Sequence, residues 1–221
     1  LARDRIGEKP LYFLKKNNSL IFSSRPNPII EIFTDLKNKF ENQSLSFYLS
    51  AGYFPRNKSF FQGIQKLEPG SYLKFNKNEF HTKKYWNIND YNPILKKNNS
   101  LNYYVDEFDN LLKESIVDRL SSDKPLGFFL SGGLDSSLIV AIASNILKKE
   151  NIKVFNLGFD DKQYDESNDA LLVTKHLGIN IESKKLTPNQ LLDLLPNFFE
   201  KFDEPFADPA CFPLMAISKF A

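Results

Sequence analysis

The segment Leu130-Ser131-Gly132-Gly133-Leu134-Asp135-Ser136-Ser137 constrains this chain more than any other. It sets a glycine- and hydroxyl-rich turn between an apolar run and a helical pattern. Before it, residues 125–130 have the length and aromatic content of a buried parallel strand. After it, Leu138, Ile139, Ile142, Ala143 and Ile146 recur at helical spacing up to Lys148-Lys149, whose cations suit a helix C-terminus. At a strand–loop–helix junction the first backbone N–H groups of the helix lack intrahelical partners, and the helix dipole favours an anion there. Gly132 and Gly133 allow close backbone approach, and Ser131, Ser136 and Ser137 add hydroxyl donors.

Asp135 is the odd member of this phosphate cradle. A carboxylate would repel a phosphate, so its presence points to a bridging Mg²⁺, which prefers oxygen ligands shared between one carboxylate and nucleotide phosphates. No Lys precedes the Ser pair, which argues against a Walker-type NTPase. The competing reading is a Ser/Gly turn that only caps a helix. A match to Ser-Gly-Gly-x-Asp-Ser-Ser/Thr by composition alone has a probability on the order of 10⁻⁵ to 10⁻⁴, which favours the phosphate reading.

These residues resemble the pyrophosphate-binding loop of the ATP pyrophosphatase superfamily. The surroundings narrow the resemblance. Residues 119–127, Asn156-Leu157-Gly158-Phe159 and Asp203-Glu204-Pro205-Phe206-Ala207-Asp208-Pro209 are similar to the glutamine-hydrolysing asparagine synthetases. Residues 2–12, residues 61–70 and Tyr85-Trp86 resemble the late part of that family's N-terminal glutaminase domain. The resemblance implies a doubly wound α/β parallel sheet of the adenine nucleotide α-hydrolase type. Ahead of it would stand the C-terminal part of an α+β N-terminal-nucleophile glutaminase domain. The expected division is residues 1–88 for the amidotransferase part, 89–102 for a linker rich in Asn, Asp, Pro and Lys, and 103–221 for the start of the synthetase domain. Two departures stand out. The family's nucleophilic Cys would lie upstream of Leu1, and Ser24-Arg25 stands where the family usually has Ser-Glu. The chain starts without Met and stops at Ala221 inside a helical pattern, so it reads as an internal fragment, inactive by itself.

The N-terminal half carries two hairpin signals, 11–14 with 20–22 and 71–75 with 80–85, the second around Asn76-Lys77-Asn78-Glu79. Helical patterns lie at about 28–36 and 44–53 between them. Beyond the loop, 153–159 reads as the next parallel strand, 168–177 as a helix capped by Gly178, and 180–186 as a further strand. Ligands of such sheets bind at the carboxyl ends of the strands. That rule sets the loop beside the end of 157–159, and the resemblance makes Leu157 and Gly158 adenosine-site candidates; a pure core role for Leu157 stays open.

Composition is that of a globular protein, 42% hydrophobic and 25% charged with a net charge of +2. Nothing in it calls for nucleic acid or an anionic membrane. No apolar stretch reaches the length of a membrane span, no signal sequence is visible, and one Cys fits the cytoplasm. Asp165-Glu166-Ser167 precedes a helix, where N-capping is the simplest role. Asp203, Glu204 and Asp208 could bind Mg²⁺ or line an acceptor channel, or form a solvated acidic turn. His81 and His176 make no metal spacing, and Cys211 reads as a small buried residue.

The chemistry the resemblance implies is carboxylate activation with ATP and Mg²⁺. The loop residues Leu130, Ser131, Gly132, Gly133, Asp135, Ser136 and Ser137 would hold pyrophosphate, and Asp135 would hold the metal. Aspartate would attack the α-phosphorus, and ammonia from glutamine would displace AMP to give asparagine. The expected partners are these small molecules, with a homodimer left open. Two alternatives remain: another carboxylate acceptor in surface-sugar or peptide biosynthesis, and a non-catalytic nucleotide-binding paralogue.

Overall fold

Polar residues between two short apolar runs fold back as a hairpin. β1 (Tyr12–Lys16) and β2 (Ser19–Ser23) pair antiparallel with Phe13 opposite Phe22, and Asn17 takes the left-handed turn position at φ 54°. The computed structural model describes residues 1–77, 79–90, 100–148 and 151–221. It separates into one unit of Leu1–Ile94 with Asn197–Asp208 and another of Leu95–Pro196 with Pro209–Ala221.

In the first unit, α1 (Asn27–Ile32) opens with Pro28 in its first turn and buries Ile29 and Ile30. A 3₁₀ turn at Thr34–Leu36 continues the expected helical stretch after a break at Phe33. α2 (Asn42–Ala51) stops at Gly52, whose φ of 77° supplies the left-handed cap. β3 (Gln65–Lys66) pairs with the free edge of β1, giving the order β2-β1-β3. Tyr12, Leu14, Ile29, Ile30, Phe61 and Ile64 form the core over this sheet. β4 (Ser71–Phe75) and β5 (Phe80–Lys84) make the second expected hairpin, although Asn78 of its turn lies outside the described residues. Most of the expected linker, residues 91–99, also lies outside them.

The second unit opens with α3 (Leu101–Arg119), which the sequence reading did not anticipate as a helix. Its N-cap is Ser100, whose Oγ accepts the Tyr103 N–H at 3.4 Å. Then come β6 (Gly127–Phe129), α4 (Leu134–Ile146), β7 (Lys153–Phe159), α5 (Ser167–Leu177) and β8 (Ile181–Leu186). The three strands are parallel in the order β6-β7-β8, with α4 and α5 as the crossovers. α6 (Pro188–Leu192), α7 (Leu195–Lys201) and α8 (Cys211–Phe220) follow. Successive residues of β7 point to opposite faces. Val154 packs with Leu130, Val140 of α4 and Ala170 of α5, whereas the Phe155 ring meets Phe220 of α8 edge-on at 5.7 Å. Helices thus cover both faces of a parallel sheet, the expected α/β architecture.

β6 lies at one edge of the described sheet, with Phe129 43% exposed. One local expectation fails: α4 does not reach its lysines. It ends at Ile146 with Leu147 extended at ψ 152°, leaving Lys148 past the cap, while Lys149 lies outside the described residues. His81 is exposed on β5, and His176 is exposed in the last turn of α5. Cys211 is buried. No described helix is long and apolar enough to cross a membrane.

Candidate functional site

The phosphate-type loop begins where β6 ends. The Leu130 N–H donates to the Phe155 carbonyl at 2.9 Å, extending the β6–β7 ladder by one bond. The Leu130 carbonyl accepts the Nδ2 of Asn156 at 2.8 Å. Asn156 is fully buried, and its Oδ1 has no hydrogen-bond partner among the described residues. Sequence reasoning passed over this residue, though an amide inside the apolar strand Val154-Phe155-Asn156-Leu157 was a readable signal.

From there the chain turns sharply at Gly132, φ +100°. A Cβ at that position would sit 2.7 Å from Asp169 Cβ and 2.8 Å from the Ala170 nitrogen, so the first turn of α5 fills the space a side chain would need. Gly133, extended at φ −67° and ψ 161°, is the N-cap of α4 and offers no side-chain cap. The N–H groups of Leu134, Asp135 and Ser136 open the helix without intrahelical acceptors. The two serines brace the turn. Ser131 Oγ and Ser136 Oγ lie 3.1 Å apart, the Gly133 N–H donates to Ser131 Oγ at 3.1 Å, and Ser136 Oγ donates to the Gly133 carbonyl at 3.2 Å. Ser137 Oγ is buried without a hydrogen-bond partner among the described residues. Asp135 is exposed in the first turn, and Leu134 beside it is 90% exposed. The turn is therefore preformed and open, with helix-end donors and one carboxylate on its rim.

At the carboxyl end of β7, Leu157 is half-buried and Gly158 is buried. A Cβ on Gly158 would lie 2.2 Å from Ser167 Oγ and 2.7 Å from Asp165 Oδ1. The 165–167 turn leans onto this strand end, and only glycine leaves room for it. Asp165 is not the N-cap of α5, a position held by Glu166 without a side-chain bond. Asp165 Oδ1 instead accepts the Ser167 hydroxyl at 2.5 Å and its N–H at 3.2 Å, while Oδ2 meets Lys185 Nζ of β8 at 3.1 Å. Those bonds, the Ser167 hydroxyl first and Lys185 next, pull the carboxyl down to about 2.

Asp203, Glu204 and Asp208 belong to the first unit, in the excursion Asn197–Asp208. Phe202 stacks on Phe198 at 4.6 Å and on Phe206 at 5.0 Å along this stretch. Its carboxylates border a cavity of about 630 Å³ lined also by Tyr12, Arg25, Lys66 and Phe54. The Asp203 side chain, 3% exposed, is held by the Arg25 guanidinium through both carboxylate oxygens and by the Asn27 N–H at 3.0 Å. Glu204, 9% exposed, receives four donors: Ser59 Oγ at 2.8 Å and the Phe60 N–H at 2.6 Å on Oε1, Tyr12 OH and Lys66 Nζ at 2.8 Å each on Oε2. Burial, and then Glu204, push the Tyr12 phenol far above its ordinary range, so it stays a neutral donor. A metal at Asp203 or Glu204 would have to displace these donors. Asp208 is exposed on the cavity rim. Among the described residues no three His, Cys, Asp or Glu side chains are grouped to hold a metal. Asp135, a lone carboxylate, suits an ion whose remaining ligands come from phosphate and water.

The residue missed here is Arg25. The sequence marked it as a departure, and the structure gives it a partner, Asp203, 178 positions away.

Comparison with known proteins finds two family models along this chain. The family model described as asparagine synthase matches residues 107–221, and the model described as a glutamine amidotransferase domain matches residues 1–86. Asparagine synthetase (glutamine-hydrolyzing) 1 of Bacillus subtilis (strain 168) is 31% identical over 220 residues, covering 100% of this chain and 34% of its own length. Asparagine synthetase (glutamine-hydrolyzing) 3 of the same organism is 34% identical over 151 residues, covering 67% of this chain and 24% of its own length. The matched residues thus span 34% and 24% of these relatives' lengths. Among solved structures, NMN synthetase from Francisella tularensis matches 56% of this chain and 51% of its own at 20% identity, with a TM-score of 0.36. With the synthase match covering more than half of the residues, the chain belongs to the asparagine synthase family.

Proposed function

We propose that the full-length protein converts aspartate to asparagine with ATP, drawing ammonia from glutamine. The observation that carries this reading is the exposed turn at 131–137, where α4 opens without a side-chain cap and the Ser131 and Ser136 hydroxyls lie 3.1 Å apart. Such preorganised donors suit a departing pyrophosphate better than a nucleophilic mechanism, since no side chain in the turn is activated for covalent attack. Asp135 is the residue that would hold Mg²⁺; when bound, the ion supplies positive charge against the polyphosphate. Leu157 and Gly158, at the end of the neighbouring strand, would line the adenosine side. The aspartate carboxylate would attack the α-phosphorus, pyrophosphate would leave toward the turn, and ammonia would displace AMP from the acyl-adenylate.

Relatives named asparagine synthetase support the acceptor, and the amidotransferase match over residues 1–86 supports glutamine as nitrogen source. The test is to assay the full-length protein for AMP and pyrophosphate release with glutamine and either aspartate or a panel of sugar and peptide carboxylates. Aspartate-dependent AMP release with asparagine as product is the expected result. AMP release with another carboxylate only would replace the acceptor, and no ATP turnover with any would make the protein a non-catalytic paralogue. In the active case Asp135→Asn lowers kcat/KM for ATP by at least about tenfold, or about 1.4 kcal/mol.

A further inference from the structure

Two absent side chains set the start of α5 against both ends of the candidate nucleotide site. A Cβ on Gly132 of the phosphate-type turn would meet Asp169 Cβ and the Ala170 nitrogen, and one on Gly158 at the end of β7 would meet Ser167 Oγ and Asp165 Oδ1. Residues 165–170 therefore span the interval between the turn and the strand end. A nucleotide with its phosphates at 131–137 and its base beside 157–158 carries its ribose across that interval, because the sugar joins the two. Of the acids in the span, Asp165 is the one held in place. Glu166 is exposed and gives α5 no side-chain cap, and Asp169 is exposed in the first turn. The Asp165 side chain is only 13% exposed. Its Oδ1 takes the Ser167 hydroxyl and N–H, and its Oδ2 takes Lys185 Nζ from β8, the strand residue paired with Gly158. An ionised carboxyl offers about four lone-pair sites, two on each oxygen. Ser167 fills both on Oδ1 and Lys185 fills one on Oδ2, so among the described residues one acceptor site remains.

We propose that Asp165 selects a ribonucleotide: its Oδ2 accepts a ribose hydroxyl of bound ATP, and Ser167 and Lys185 are positioning residues that hold the carboxylate in place. This role rests on the nucleotide reading of the turn above. A hydroxyl donating to a carboxylate makes a charge-assisted bond, stronger than a neutral one. In dinucleotide-binding parallel sheets an acid beyond the phosphate turn likewise takes the ribose 2′-OH. Lys185, 62% exposed, offsets the charge of Asp165, which would otherwise repel the polyphosphate.

Equilibrium titration of the full-length protein with ATP, 2′-deoxy-ATP and 3′-deoxy-ATP in the presence of Mg²⁺ tests this without reference to turnover. The wild type is expected to bind ATP at least about tenfold more tightly than one of the two deoxy forms, the yield of one hydrogen bond to a charged group. In Asp165→Ala that preference disappears. The ratio of affinities decides the matter, because a merely structural loss at 165–167 would weaken all three nucleotides by the same factor. Lys185→Met leaves the acceptor in place, and its ratio falls less than that of Asp165→Ala. Asp165→Asn, which keeps an Oδ1 for Ser167, gives an intermediate ratio and carries the test should Asp165→Ala not fold. Equal binding of all three nucleotides by the wild type, or a wild-type ratio in the Asp165 variants, overturns the proposal and leaves the nucleotide reading standing. A ratio lost in Lys185→Met but kept in Asp165→Ala assigns the hydroxyl to the ammonium and overturns it too. A wild type that binds none of the three refutes the nucleotide reading and this role together.

Discussion

Gly132 shows how one absent side chain sets the phosphate-type turn. Its φ of +100° is a conformation L side chains rarely adopt, and a Cβ would press on the backbone nitrogen of Ala170 as well as on Asp169. A backbone atom cannot swing away as a flexible side chain would. Gly132→Ala is therefore expected to cost more than about 1 kcal/mol, to push the start of α5 outward, and to weaken nucleotide binding. Thermal melting and ATP titration of the full-length protein check both effects. Asp165 makes a prediction of opposite kind, on pH rather than shape. Its carboxyl is held at about 2 against an ordinary value of 3.8, so the folded state prefers the ionised form. A depressed carboxyl stabilises the fold at any pH above its unfolded value and loses that contribution as pH falls through its folded value. The melting-temperature gap between the wild type and Asp165→Asn should thus be constant from neutral pH down to about 4, and should close as pH falls toward about 2. A gap that widens on acidification would mean that the Ser167 and Lys185 bonds do not set the titration.

At the scale of elements, what the sequence made legible was local periodicity and punctuation. The hairpin β1–β2, the helix α5 with Gly178 at φ 66° as its cap, and the strand β8 all fell within a residue or two of expectation. α6 had a readable start as well, because Thr187 and Gln190 form a capping box at 3.0 and 3.3 Å, and the pattern was passed over. The apolar run 125–130 carried no information about how many neighbours β6 would have. Asn156 marks the same boundary from the other side: its residue type was visible, its partner was not. That side chain ties β7 to the last carbonyl of β6 before the turn, and so joins a strand interior to the site. Asn156→Leu keeps the volume but strands the buried Leu130 carbonyl, at an expected cost of about 1–3 kcal/mol. Because the carbonyl lies at the root of the turn, the ATP KM should rise with the loss of stability, whereas glutamine hydrolysis should be unaffected. Chemical denaturation and a comparison of the two half-reactions measure this directly.

For the whole molecule, the grouping of residues 197–208 with the first unit had no signal in the sequence. The hydrogen bonds to Asp203 and Glu204 join residues 144 to 192 positions apart, and no periodicity records which cation will meet which carboxylate. This arrangement bears on unfolding. Units with their own cores open separately when one is weakened. Ile29 is completely buried in the core of the first unit, and Ile29→Ala should destabilise that unit by about 2–5 kcal/mol through lost burial and the cavity left behind. The core of the second unit, Val140, Val154 and Ala170, shares no residue with it and should keep its protection. The informative segment is 203–208, which by sequence lies inside the synthase match yet by its bonds belongs with Tyr12, Ser59 and Lys66. In Ile29→Ala its amides should exchange at the rate of β1 and β3, not at the rate of α4 and β7. Exchange of 203–208 in step with α4 instead would show that chain continuity with α8, rather than the grip on Glu204, determines where this segment folds.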